Sequence, residues 1–258
     1  MFQLDTFRKQ QFRYYYTLND KHLSPSTYKV DEKKMKRKAK FVFGIPTVQR
    51  PEKNYLLITL QSLIENLNVT ERNKTLLVLL IAEIDAMKVN NITSSVHSLF
   101  GEHIESGLLE IIYPPISYYP EYINRNTLEE QMFLVRWRTK QNLDFAFLMN
   151  YCKDRAEYYI QLEDDLITRE NYIQLIEKRV KDISQYYKDW FLINFATLGF
   201  IGKLFKATDL PMLISVFHHF SEYQPVDWLL DYILRIRYCS IMSAAMSCAL
   251  DIAQHSIS

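Results

Sequence analysis

Apolar positions along the chain alternate between a helical rhythm and continuous runs. Over residues 54–67, Leu56, Leu60, Leu63, Ile64 and Leu67 recur at helical spacing and predict an amphipathic helix. Residues 75–84 (TLLVLLIAEI) are apolar almost throughout and end against Glu83 and Asp85, the pattern of a strand buried on both faces. A helix over 92–104 and a strand over 108–113 follow, broken by Pro114-Pro115, and then a loop rich in Tyr, Pro and Asn over 116–127. Further on, the pattern predicts helix from about 128 to 154, strand at 158–162, helix at 172–187 and strand at 190–195. Helices at 211–220 and 226–236 complete the series. The first strand, Phe41-Val42-Phe43, is expected to stop at Gly44-Ile45-Pro46.

Strand and helix thus alternate without a repeat of fixed period, which predicts an α/β fold with a doubly wound, mostly parallel sheet flanked by helices. The organisation expected is a polar, basic leader (1–40), one α/β domain (41–237) and a divergent tail (238–258). Such sheets bind ligands beyond the carboxyl ends of their strands. Composition narrows the classes. With 48% hydrophobic and 14% aromatic residues among 258, the chain can fill a core, which excludes disorder over most of its length. A net charge of +1 supplies no field to recruit nucleic acid or an anionic membrane. Cys152, Cys239 and Cys248 form no CxxC pair, against a disulfide scaffold or structural zinc site. No apolar run reaches the roughly eighteen residues of a membrane helix, and the start lacks a signal-peptide core, so a soluble chain is expected. The basic run Lys33-Lys34-Met35-Lys36-Arg37-Lys38-Ala39-Lys40 reads as a solvated leader, with a nuclear signal or phosphate patch as the alternative.

Three strand exits carry candidate chemistry. Glu163-Asp164-Asp165 closes the strand at 158–162, where like-charge repulsion makes joint ionisation costly. A hard cation, Mg²⁺ or Mn²⁺, relieves that cost with one or two carboxylates and substrate phosphates. The alternative is an acidic approach to the next helix, capped by Thr168 and Asn171. The first strand exits through Pro46, Thr47 and Arg50, a hydroxyl and a planar cation suited to a diphosphate, in a turn that is neither GxGxxG nor a P-loop. In the 128–154 helix, Arg136, Lys140 and Asp144 share a face, either as a phosphate clamp with Asp144 fixing the lysine or as a solvated ion-pair stripe.

Smaller features remain. Asp227 opens a helix after Pro225, as a cap or as a positioned carboxylate. His218-His219 sit in an apolar helix and read as packing residues. Sequons occur at Asn68-Val69-Thr70, Asn73-Lys74-Thr75 and Asn91-Ile92-Thr93, a hint of secretory passage.

Seven segments in order carry a resemblance: 41–50 (FVFGIPTVQR), 55–66 (YLLITLQSLIEN), 117–120 (SYYP), 135–144 (VRWRTKQNLD), 158–165 (YYIQLEDD), 198–203 (LGFIGK) and 225–230 (PVDWLL). Over residues 40–237 the chain resembles the N-acetylglucosaminyltransferase IV family, the α-1,3-mannosyl-glycoprotein 4-β-N-acetylglucosaminyltransferases. The resemblance implies a GT-A fold and inverting transfer of GlcNAc from UDP-GlcNAc to mannose of an N-glycan or glycoprotein acceptor, with a divalent metal, Mn²⁺. It implies a DxD-type element in Glu163-Asp164-Asp165, with Glu163 and Asp165 as metal ligands and Asp164 beside the nucleotide. Pro46, Thr47 and Arg50, with Arg136, Arg138 and Lys140, are similar to a nucleotide- and diphosphate-facing set. Asp227 is the candidate base for the acceptor hydroxyl. A Golgi location and association with other Golgi glycosyltransferases are implied as well. Where relatives read FSQLGFIGK, Ala196-Thr197 stand in place of the Ser-Gln pair, and after Arg237 the tail departs from the RPSLFQH-type segment. The transmembrane anchor, stem and C-terminal lectin-like domain of relatives are not recognised, so a short form is expected, and with it an alternative: an inactive relative that binds or regulates another N-glycan glycosyltransferase.

Overall fold

A computed structural model describes residues 26–28, 38–50, 55–124, 130–197 and 199–238. Strands are β1 (Ser26–Tyr28), β2 (Ala39–Thr47), β3 (Thr75–Ile81), β4 (Leu109–Tyr113), β5 (Ala156–Gln161), β6 (Leu192–Asn194) and β7 (Lys203–Lys206). Helices are α1 (Leu56–Glu65), α2 (Val69–Lys74), α3 (Ala86–Glu105), α4 (Glu130–Cys152), α5 (Tyr172–Tyr186), α6 (Leu210–His219) and α7 (Val226–Tyr238). Most of the leader, and the tail beyond Tyr238 with Cys239 and Cys248, lie outside the described residues.

The strands form one sheet in the order β1-β4-β3-β2-β5-β7-β6. Its centre, β4-β3-β2-β5, is parallel, whereas β1, β7 and β6 pair antiparallel. The sheet is therefore mixed at its edges, a feature the alternation alone did not carry. Side chains of β3 explain its unbroken apolar run. Leu77, Leu79 and Ile81 join one core with α1, α3 and α5, and Leu76, Val78 and Leu80 join a second core with α4, α6 and α7. Both faces are covered, so neither has room for polar alternation. Burial of each such leucine contributes about 1.5–3 kcal/mol.

Successive crossovers build outward from β2 through β3 to β4, then α4 carries the chain across the other face so that β5 lands on the far side of β2. The winding reverses between β2 and β5, and a crevice opens at the carboxyl ends of those two strands.

Gly44-Ile45-Pro46 do not stop β2, which runs on to Thr47. The Gly44 carbonyl accepts from Leu162 N at 2.9 Å, so residues 44 and 46 direct their backbone toward β5. Pairing with β5 ends at Gly44↔Gln161, and Pro46 therefore lacks an N–H where no ladder bond is due. Gly44 is required for another reason: the buried Tyr159 ring lies where its Cβ would stand. Asn171 precedes α5 in the left-handed region (φ 60°) without a side-chain cap, and Thr168 bonds Ser62 instead. The capping account of the acidic stretch is thus not realised.

Candidate active site

Pairing of β2 with β5 ends at Gly44 and Gln161, and the two exit segments, together with α4, line a cleft of about 390 Å³. Pro46 and Thr47 at the end of β2 with Arg50 beyond it, Glu163 and Asp164 after β5, and Trp137, Lys140, Gln141 and Asp144 of α4 all contribute to its lining. Three of the sequence-derived groups thus meet in one place.

Asp164 is the buried member of the acidic trio, its side chain 7% exposed. Thr47 Oγ1 donates to its Oδ2 at 2.5 Å and Arg50 Nη2 to its Oδ1 at 2.5 Å. Arg50 Nη1 reaches Asp165 Oδ2 at 3.3 Å, so one guanidinium spans two carboxylates. Thr59 Oγ1 of α1 lies 2.9 Å from both the Asp164 and Leu166 carbonyls, which share its one proton, and it accepts from Leu166 N at 3.1 Å. Glu163 makes no hydrogen bond or ion pair among the described residues. Burial and the neighbouring Asp165 and Asp164 hold its carboxyl above the usual range, against Arg50 and Lys203.

Lys140 Nζ donates to the Ala82 carbonyl and to Asp144 Oδ2, both at 2.7 Å, and its ammonium stands 5.0 Å from the Tyr119 ring centre. Asp144 also accepts from the Tyr119 hydroxyl. Burial pushes the Asp144 carboxyl above its ordinary value, opposed by Lys140. This carboxylate is not on a solvated stripe: it fixes the lysine from inside the core. Two of the three Nζ donors are used, and the third is left for the cleft.

Arg136, Arg138, Asp165 and Asp227 do not line this cleft. Arg138 Nε donates to the Glu222 carbonyl at 2.6 Å, and Asn142 Nδ2 to those of Ser221 and Gln224 at 2.9 and 2.8 Å. These bonds pin the segment leading to Asp227. Arg136 has a buried Nε without a partner among the described residues. Asp227 is exposed on the first turn of α7, where its Oδ1 accepts from Trp228 N at 3.1 Å.

The sequence reading did not single out Lys203 or Tyr119. Lys203, 6% exposed, donates to Asn194 Oδ1 and the Ala196 carbonyl at 2.7 and 2.8 Å. Burial lowers its pKa against the attraction of Asp227 and Glu163, so both acids act on this one ammonium. Their motifs, LGFIGK and SYYP, were visible, but neither shows which side chain turns inward.

The family model "MGAT4 conserved region" matches residues 8–258. The chain belongs to this family. The match extends beyond the motif-bearing stretch 40–237 at both ends. Alpha-1,3-mannosyl-glycoprotein 4-beta-N-acetylglucosaminyltransferase A of Bos taurus is 44% identical over 208 residues, 80% of this chain and 38% of that protein. The same-named protein of Gallus gallus is 42% identical over the same shares of each chain. Alpha-1,3-mannosyl-glycoprotein 4-beta-N-acetylglucosaminyltransferase B of Homo sapiens is 40% identical over 208 residues, again 80% of this chain and 38% of its own length. The matched stretch is thus less than half of each relative.

Among the described residues no group of three or more His, Cys, Asp or Glu side chains is gathered as a metal cage, and no helix is long and apolar enough to cross a membrane. The carboxylates nevertheless fit a hard divalent cation. Such ions take one or two carboxylates and complete their shell with phosphate oxygens and water, and Glu163 is an unpaired carboxylate facing the cleft beside two others.

Proposed function

We propose that the chain is the nucleotide-sugar-binding part of a GT-A-like, inverting N-acetylglucosaminyltransferase. Its donor is UDP-GlcNAc and its acceptor a mannose of an N-glycan or glycoprotein in the Golgi lumen. The observation that carries this reading is the cleft at the β2/β5 reversal, lined by Glu163 and Asp164 together with Arg50 and Lys140. Membership of the MGAT4 family supports the choice of donor and acceptor.

In this reading Thr47 and Arg50 orient Asp164 and Asp165, and Arg50 and the open donor of Lys140 hold diphosphate oxygens. Arg136 and Arg138 act behind them, Arg138 by fixing the segment before Asp227. Glu163 and Asp165 would hold Mn²⁺ or a similar cation, which when bound supplies charge stabilisation to the departing diphosphate. Asp227 takes the proton of the acceptor hydroxyl as its oxygen bonds to the anomeric carbon. The bond from that carbon to UDP breaks on the opposite face, and UDP leaves with the electron pair. Lys203, a buried cation attracted by both Asp227 and Glu163, adds positive charge to the surroundings of these two acids. Association with other Golgi glycosyltransferases belongs to the same proposal.

A second reading, an inactive relative that binds or regulates another N-glycan glycosyltransferase, is favoured by Asp227, which bonds its own helix and stands outside the cleft lining. One assay separates the two. Purified chain is incubated with UDP-GlcNAc, Mn²⁺ and a biantennary N-glycan, and UDP release is followed. Release that vanishes in Asp165→Ala supports transfer. UDP binding without release supports the regulator, and absence of nucleotide binding overturns both.

A further inference from the structure

Three sequons distinguish themselves once placed on the fold. Asn91 lies inside α3 and borders a hollow with Thr47, Val48, Gln49 and Arg50, on the cleft side of the sheet, and Thr93 of its sequon is buried. Asn73 lies in the last turn of α2 and lines a hollow of about 320 Å³ with Arg72, Glu102 and His103; its Thr75 is wholly buried at the start of β3. At Asn68-Val69-Thr70 all three residues are exposed.

We propose that Asn68 is a site of N-linked glycosylation. This rests on the reading of the chain as a lumenal protein. Asn68 stands at the bend before α2 with extended backbone (φ −74°, ψ 169°) and forms a capping box with Glu71. Its Oδ1 accepts from Glu71 N at 2.9 Å, and its own N–H donates to Glu71 Oε2 at 2.9 Å. The cap uses the oxygen of the carboxamide and leaves Nδ2 to solvent. Attachment of sugar at Nδ2 keeps the carbonyl, so α2 retains its cap after modification.

The donor is an oligosaccharide on a lipid diphosphate. The Nδ2–C1 bond forms as the C1–O bond to the diphosphate breaks, the diphosphate leaves with the electron pair, and one Nδ2 proton passes to solvent. Because α2 leads into the amino end of β3 whereas the cleft lies beyond the carboxyl ends, a glycan on Asn68 leaves the cleft open.

The test expresses the full chain behind a cleavable signal peptide in a secretory host. Glycopeptide mass spectrometry is run before and after peptide-N-glycosidase, which converts an occupied Asn to Asp. The expected result is Asn68 occupied in the wild type, unoccupied in Thr70→Ala, which spares the cap, and occupied again in Thr70→Ser. Unmodified Asn68 in protein whose signal peptide has been cleaved overturns the inference. The functional reading fails differently, as a chain glycosylated on Asn68 that binds no UDP.

Discussion

Gly44→Ala tests how tightly the two site-bearing strands are locked. The new Cβ would stand 2.8 and 2.9 Å from ring carbons of Tyr159, inside the roughly 3.5–4.0 Å of favourable carbon contact. Tyr159 cannot swing away: it is wholly buried, and its hydroxyl bonds Gln161 Oε1. The strands cannot part freely, because the Gly44 carbonyl accepts from Leu162 N at 2.9 Å and Gln161 Nε2 at 3.3 Å. Overpacking costs about 1–3 kcal/mol, and loss of glycine from the unfolded chain returns about 0.4–1 kcal/mol. The net expectation is a loss of about 1–2 kcal/mol, read by urea unfolding at constant slope. In a Tyr159→Leu background the obstruction is gone and Gly44→Ala should cost close to nothing. The double-mutant cycle should therefore show coupling of about 1 kcal/mol or more. Additive effects of the two substitutions would refute the close approach as the reason for glycine at this position.

Other substitutions probe the surroundings of the cleft. His218, packed on Tyr118, has its pKa pushed down to about 4 by burial, with His219 adding to the effect. Its neutral form stabilises the fold above the unfolded value of 6.5, and this is lost as pH falls toward 4. Between pH 7 and pH 5 the loss should be about 2 kcal/mol, and His218→Gln should flatten that slope in chemical denaturation. Tyr119→Phe removes a donor from buried Asp144 and should cost about 1–3 kcal/mol. Asp144 already titrates above its unfolded value, so its stabilising share is lost as pH rises, and the Tyr119→Phe penalty should be larger at neutral than at acid pH in thermal melts. Arg50→Ala leaves Asp164 with Thr47 alone and should lower stability by about 1–3 kcal/mol while weakening UDP binding in calorimetry.

Strands buried on both faces were legible because their apolar runs are continuous: TLLVLLI marked β3, and YYIQLEDD located both β5 and the acids at its exit. The first strand was cut short because glycine and proline usually punctuate, and only the register with β5 shows that Pro46 lies past the last ladder bond. β7 was missed because KLFK is four residues long and follows a glycine-containing turn, with Gly199 and Gly202 at positive φ. β1 and α2 are as short, three and six residues, and carry no full period. For the site, strand exits were the right places to look, since topology brings the ends of β2 and β5 together. Spacing on α4 put Lys140 and Asp144 on one face, but that Asp144 is buried under Tyr119 depends on a contact 25 residues away. Arg138 lies two residues from Lys140 in sequence yet turns to another face of the same helix, and its bond to Glu222 spans 84 residues. Long-range partners of this kind leave no periodic trace.

Calorimetric titration of UDP into the chain, with Mn²⁺ and with chelator, probes the coupling of carboxylates, cation and diphosphate without requiring turnover. Binding should appear with Mn²⁺, weaken by about tenfold or more in chelator, and weaken similarly in Glu163→Gln and in Asp165→Ala. UDP affinity that is the same in chelator and in both variants, or absent under every condition, would contradict the account.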